Sequence, residues 1–139
     1  MRKTRTYLKF PGFRRYYAFN GSGGFFMYPI LLQEYWQSMT GSEQKCMDFI
    51  LRQTIGWGKS SDAISWSQFE FGVGEANKGT GLSKSQVRRA VAKLEEMGFI
   101  RVIRSRNRMN TFELVLDDED YWASVMDAID CFRNDHKVR

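Results

Sequence analysis

The most informative part of this sequence is a single run, Ser83-Lys84-Ser85-Gln86-Val87-Arg88-Arg89-Ala90-Val91-Ala92-Lys93-Leu94-Glu95-Glu96-Met97-Gly98. Ser83 and Gln86 have the spacing of a capping box, in which the serine caps the helix and the glutamine returns a hydrogen bond. Gly98 occupies the usual exit position of a helix. An apolar stripe at the spacing of one helix face is formed by Val87, Ala90, Val91 and Leu94. The run therefore predicts an amphipathic helix over residues 83–97.

Two short strands are predicted directly after this helix. The first is Phe99-Ile100-Arg101-Val102-Ile103-Arg104, and the second is Thr111-Phe112-Glu113-Leu114-Val115-Leu116. Both are rich in β-branched or aromatic residues, which favour strands. Residues 105–108 are polar and favour a turn. The pattern predicts a β-hairpin over residues 99–116.

Two further helices are predicted upstream. Ser42 is a good N-cap for the first, which carries apolar residues at helical spacing and stops at Gly56. The second begins around Ile64, where Ser65 and Gln68 again have the spacing of a capping box. Helices followed by a hairpin are typical of an α+β fold, the winged helix-turn-helix, in which the hairpin is the wing.

The chain divides into three parts. Residues 1–24 are predicted to form a basic aromatic arm, residues 25–116 the winged-helix domain, and residues 117–139 an acidic amphipathic helix and tail. Pro29 suits an extended segment or a first helical turn at the start of the domain. The apolar stripe of the last helix has two interpretations, because it either covers the core of the domain or forms a homodimer contact.

The net charge of +5 is distributed unevenly along the chain. Residues 1–27 carry +6, residues 28–82 carry −2, residues 83–108 carry +6, and residues 109–139 carry −5. Two positive blocks in an otherwise acidic chain favour a polyanionic partner, and double-stranded DNA comes first. The alternative is that these blocks are simply solvated surface.

Composition argues against most enzyme classes. His136 is the only histidine, and Cys46 and Cys131 lie 85 positions apart with no CxxC pair. A catalytic triad, a structural zinc and a disulfide framework are therefore not expected, and neither is a cofactor. The acidic residues 117–120 are interpreted as a helix start rather than as metal ligands. We expect a protein that is not an enzyme.

The sequence also carries no sign of export or membrane insertion. No apolar run approaches the roughly 20 residues that span a bilayer. The basic start of the chain is not followed by an apolar signal core. A cytoplasmic location is expected.

The DNA-binding surface is predicted on the helix 83–97 and on the hairpin. A recognition helix enters the major groove with its N-terminal half, where arginine can bind guanine and glutamine can bind adenine. Hairpin arginines would hold the phosphate backbone or enter the minor groove. Glu95 and Glu96 fall at the far end of the helix, away from the expected contact. The predicted DNA-binding residues are Lys84, Ser85, Gln86, Arg88, Arg89, Lys93, Arg101, Arg104, Arg106, Asn107 and Arg108. A secondary DNA-binding set in the arm consists of Arg2, Lys3, Arg5, Lys9, Arg14 and Arg15.

Five blocks of the sequence carry a resemblance to a known family. They are Phe26-Met27-Tyr28-Pro29 through Tyr35, Thr40-Gly41-Ser42-Glu43-Gln44-Lys45, Arg52 through Phe69, Gly79-Thr80-Gly81-Leu82-Ser83, and Leu94 through Ile100. The third block contains a T-x-G-W-x-K pattern followed by I-S-x-S-Q. Together these blocks resemble the N-terminal domain of bacteriophage replication protein O, over about residues 25–104.

The resemblance implies an origin-binding winged helix that often acts as a dimer on repeated or palindromic sites. Its DNA-reading positions would be Lys84, Ser85, Gln86, Arg88 and Arg89. Two departures are evident. The connection from Phe69 to Leu82 is long for a helix-turn-helix, so it adds contacts or alters the turn. The family also has a further C-terminal part that recruits helicase-loading partners, whereas this sequence ends at Arg139, so specific DNA binding is better supported than replication initiation.

Two functions from different classes follow. The first is a sequence-specific double-stranded DNA-binding protein of a phage or plasmid, acting in replication-origin binding or in transcriptional regulation. The second is a small phage-type inhibitor, such as an anti-CRISPR protein, that binds a host protein or ribonucleoprotein complex of replication or defence through the same basic face. Binding to a host complex with poor affinity for free duplex DNA would indicate the second.

Overall fold

A computed structural model of the chain describes residues 28–74, 77–106, 109–115 and 127. After a 3-10 helix over Ile30–Ser38, the elements are α1 (Gly41–Gln53), β1 (Ser61–Ile64), α2 (Trp66–Phe71), α3 (Lys84–Met97), β2 (Ile100–Ile103) and β3 (Asn110–Leu114). This order of helices and strands is that of a winged helix-turn-helix, which confirms the predicted α+β fold. The predicted arm lies outside the described residues, and of the predicted C-terminal helix only Asp127 is described, as an exposed helical residue.

Each of the three α-helices begins at a capping box. The boxes are Thr40 with Glu43, Ser65 with Gln68, and Ser83 with Gln86. The last two were predicted, but the prediction of Ser42 as the N-cap of α1 is wrong. Thr40 takes that role because Glu43 lies three residues later and can return the hydrogen bond, whereas Lys45, three residues after Ser42, cannot accept one.

The end of α1 also differs from the prediction. The helix ends at Gln53 rather than at Gly56, and Ile55–Trp57 forms a 3-10 turn. Thr54 is fully buried, and its hydroxyl donates to the carbonyl oxygen of Ile50 at 2.8 Å. Such a side-chain bond to the preceding turn competes with regular helix geometry, so the chain leaves α1 here.

Two elements were not foreseen from the sequence. Residues after Pro29 continue as a nine-residue 3-10 helix, where only an extended segment or a single turn was expected. Strand β1 occupies residues 61–64 and so contains Ile64, where α2 was predicted to begin; α2 begins at Trp66. It has only four residues, and its partner β3 lies far along the chain, so no local pattern identifies it.

The three strands form one antiparallel sheet in the order β1-β3-β2. Ile100 pairs with Leu114 and Val102 with Phe112, and all four side chains are buried. The alternate pair, Arg101 and Glu113, lies on the other face of the sheet. The hairpin predicted from residues 99–116 is thus present, and it is the wing.

Aromatic rings from three elements meet in the core. Phe69 of α2 is fully buried, and its ring centroid lies 5.0 Å from that of Phe49 of α1 and 5.1 Å from that of Phe112 of β3. Trp66 packs against Phe69 and Phe112 at about 6 Å. The predicted inward stripe of α3 is confirmed, since Val87, Ala90, Val91 and Leu94 are all buried.

The long connection between α2 and α3 is a folded excursion. Val73 and Asn77 form an antiparallel bridge, and the buried Asn77 side chain donates to the Gln53 side-chain oxygen at 3.2 Å. Gly72 and Gly79 lie against each other, with positive φ angles of 102° and 80°. A Cβ at Gly79 would come within 2.5 Å of the Gly72 nitrogen, so the two backbones pack too closely for side chains.

We expect Gly72→Ala to destabilise the fold far more than Gly74→Ala. Both glycines have positive φ, so both substitutions carry a strain of about 1–2 kcal/mol. A Cβ at Gly72 would additionally lie 1.8 Å from the Asn77 carbonyl oxygen, whereas nothing lies within 4 Å at Gly74. Denaturant unfolding should show a loss of about 3 kcal/mol or more for Gly72→Ala. Equal losses for the two variants would contradict this packing.

Candidate nucleic-acid interface

The face of α3 opposite the core is exposed and basic. The exposed residues of α3 are Lys84, Ser85, Gln86, Arg88, Arg89, Ala92, Lys93 and Glu96. The wing adds exposed side chains of Arg101, Arg104 and Arg106. The structure therefore brings the helix and wing residues predicted to bind DNA to the surface of adjacent elements. Asn107, Arg108 and the arm residues Arg2, Lys3, Arg5, Lys9, Arg14 and Arg15 lie outside the described residues.

Gln86 has a structural task at the start of α3. Its side-chain oxygen accepts a hydrogen bond from the Ser83 backbone nitrogen at 2.9 Å, while its own backbone nitrogen donates to the Ser83 hydroxyl at 3.3 Å. A bidentate contact with adenine needs both the oxygen and the nitrogen of the amide. While the capping box is closed, only the amide nitrogen of Gln86 is available to donate to DNA.

Arg88 is held by an aromatic ring that sequence analysis did not single out. The guanidinium carbon lies 5.4 Å from the centre of the Trp66 ring, which is a cation–π contact. Trp66 is the first residue of α2 and is itself packed on the buried rings of Phe69 and Phe112. The contact joins residues 22 positions apart on different helices, so no local signal could have found it.

The side chain of Arg104 turns from the wing onto α3. Its two terminal nitrogens donate to the two carboxylate oxygens of Glu95, at 3.1 and 3.3 Å. Glu95 was expected to stand apart from the contact surface and instead reaches the wing. The hydrogen bonds from Arg104 lower the pKa of the Glu95 carboxyl, and the same bonds raise the pKa of Arg104.

Two more of the predicted DNA-binding residues are ion-paired within the protein. Arg101 binds Glu113 directly across the sheet, and the Lys93 ammonium lies 3.6 Å from a carboxylate oxygen of Glu96. By contrast, four cations of the face form no ion pair with any residue that the structure describes; these are Lys84, Arg88, Arg89 and Arg106. The structure thus separates the basic residues into a paired and an unpaired set.

A cleft lies between α3 and the wing. Its volume is about 380 Å³, and it is lined by Trp66, Arg88, Val91, Arg104 and Asn110. Asn110 closes the wing turn, because its side-chain oxygen accepts from the backbone nitrogen of Ser105 at 3.2 Å. Two arginines and one amide beside an aromatic ring are donors suited to a phosphate oxygen.

Other kinds of site find little support in the described part of the chain. Across residues 28–74, 77–106, 109–115 and 127, no group of three His, Cys, Asp or Glu side chains could hold a metal ion. Cys46 is fully buried, and burial raises the pKa of its thiol to about 12, which makes it a poor nucleophile. No helix within these ranges is both long and apolar enough to cross a membrane.

We expect Arg104→Gln to raise the pKa of Glu95 towards the ordinary value of a glutamate. Arg104 donates the hydrogen bonds that lower it, so removing the guanidinium removes the cause. The stabilisation from this pair is present above the ordinary pKa and is lost as the pH falls through the lowered one. Carboxyl NMR titration would measure the change, with Arg101→Gln as the control. An unchanged Glu95 pKa in Arg104→Gln would contradict the pairing.

Comparison of the chain with known proteins gives a match to a protein family. Curated proteins and solved structures give no match to the chain. The family model for bacteriophage replication protein O matches residues 24–113, which is more than half of the chain and contains all three α-helices. That family indicates a DNA-binding function connected with phage replication. The chain belongs to the bacteriophage replication protein O family.

Proposed function

We propose that this protein binds a specific double-stranded DNA sequence, with α3 in the major groove and the wing along the phosphate backbone. The observation that carries the proposal is the position of Arg88 and Arg89. Both are exposed on the first two turns of a capped helix whose opposite face is buried in the core. Side chains in this half of a recognition helix reach base edges.

The two arginines are suited to the groove for different reasons. Arg89 has no ion-pair partner within the described ranges, so its fork is free to bind both acceptors of a guanine. Arg88 is oriented by the Trp66 ring, which reduces the side-chain freedom that binding would otherwise remove. Lys84 and Ser85, at the helix start, are placed for phosphate contacts.

In this proposal the wing contacts the phosphate backbone of the DNA. Arg106 is exposed and has no ion-pair partner in the described part of the hairpin, so it can bind a phosphate directly. Arg101 and Arg104 must first leave Glu113 and Glu95. The predicted contacts of Asn107, Arg108 and the basic arm, and a homodimer through the C-terminal helix, belong to the same proposal.

Family membership favours replication-origin binding over transcriptional regulation as the biological role. We further propose that the protein acts by binding alone, without catalysis. Selection of duplexes from random sequence across a salt series tests the function. An enriched motif with a steep salt dependence is expected, and a symmetric motif would support a dimer. Weak binding without enrichment would instead favour the inhibitor of a host complex.

Arg88→Ala and Arg89→Ala should each weaken binding to the selected duplex by about 1–3 kcal/mol where the arginine holds a guanine. Binding to a random duplex should change much less, because base readout is lost rather than general attraction. Lys45→Ala is a matched control, since Lys45 is an exposed cation of α1 and belongs neither to α3 nor to the wing. Fluorescence anisotropy measures both affinities. Equal losses on selected and random duplexes would contradict base reading by α3.

Arg106→Ala should reduce the slope of log K against log salt by about one unit. Its proposed partner is a phosphate, which carries no sequence information, so the preferred motif should stay the same. The same binding assay at several salt concentrations measures the slope. A changed motif with an unchanged slope would argue against a backbone contact.

A further inference from the structure

The ion pair between Glu95 and Arg104 lies at the edge of the proposed DNA-binding face. We propose that Glu95 is an intramolecular competitor of DNA: its carboxylate occupies Arg104 in the free protein, and a backbone phosphate bound at the cleft between α3 and the wing takes its place. This inference rests on the proposed function. It assigns the cleft a ligand, a DNA phosphate, and it assigns Glu95 the role of restraining affinity.

The geometry of the pair is that of a phosphate contact. Both terminal nitrogens of Arg104 face both oxygens of Glu95, in the parallel arrangement that guanidinium groups also form with phosphates. A phosphate can therefore replace the carboxylate without a new arrangement of donors. Arg104 and Asn110 both line the cleft, so the incoming phosphate would meet donors from the residue that follows β2 and from the first residue of β3.

The exchange is feasible because the pair is open to solvent. The Arg104 side chain is 61% exposed and the Glu95 side chain 33% exposed. Ion pairs of this kind are weakened by water and salt. Once α3 is seated on a duplex, a backbone phosphate near the cleft is present at a high effective concentration, which favours it over the single carboxylate.

Glu96 provides a matched comparison. It follows Glu95 on the same helix, carries the same charge and pairs with Lys93 rather than with the wing. Glu95→Gln and Glu96→Gln each remove one negative charge near the proposed DNA path. Glu96→Gln frees Lys93, which does not line the cleft, whereas Glu95→Gln frees Arg104, which does. The difference between the two variants therefore reports the gain in affinity that is made through Arg104.

The test is a set of duplex affinities for the full chain and four variants: Glu95→Gln, Glu96→Gln, Arg104→Gln and the double variant Glu95→Gln with Arg104→Gln. Glu95→Gln should strengthen binding about two- to fivefold beyond the gain from Glu96→Gln. In the Arg104→Gln background this extra gain should disappear. Arg104→Gln alone should reduce the salt slope by about one unit.

Three outcomes would overturn the inference. Weaker binding by Glu95→Gln would mean that the pair persists and supports Arg104 in the complex. Equal gains from Glu95→Gln and Glu96→Gln would mean that freeing Arg104 adds nothing beyond the loss of one negative charge and the release of one cation. An extra gain that persists in the Arg104→Gln background would mean that Glu95 acts elsewhere. Arg89→Ala separates these results from failure of the proposed function, because its effect on the selected duplex does not depend on the Glu95–Arg104 pair.

Discussion

The ring contacts of Phe69 with Phe49 and Phe112 hold α2 against α1 on one side and against the sheet on the other. Since α2 is only six residues long, its own hydrogen bonds cannot fix its position, and packing must do so. Truncating a buried phenylalanine of this kind typically costs about 3–5 kcal/mol. The packing of α2 also positions one residue of the basic face. Trp66 lies on this short helix, and its ring contacts the Arg88 guanidinium.

How much of this structure the sequence could predict depends on how far apart along the chain the interacting residues lie. The α3 helix could be predicted because its cap, its apolar stripe and its exit glycine all lie within sixteen consecutive residues. The hairpin could be predicted for the same reason. Strand β1 was not, because four residues become a strand only when β3 arrives beside them. The N-cap of α1 could also have been predicted from both halves of the capping box, because the residue three positions after Thr40 is a glutamate and the residue three positions after Ser42 is a lysine.

The candidate site also has features that the local sequence predicts and features that depend on residues far apart along the chain. The sequence predicts that the basic residues of α3 face outwards, because their position follows from the helix period. It does not reveal which cations are already paired. The partner of Arg101 is set by strand register, and the partner of Arg104 depends on the packing of β2 against α3. The basic face is therefore less positive to an approaching polyanion than a count of its arginines and lysines suggests.

The connection between α2 and α3 returns to its starting point before α3 begins. Both the backbone nitrogen and the hydroxyl of Thr80 donate to the carbonyl oxygen of Phe69, each at 2.8 Å. These two hydrogen bonds hold Thr80 beside α2, so the residues between Phe69 and Thr80 form a closed loop. The angle at which α3 meets its partner is fixed by these hydrogen bonds and by the core. Residues inserted beside the exposed Gly74 would therefore leave α3 in the same orientation, whereas deletion of Asn77 would remove a buried contact with α1.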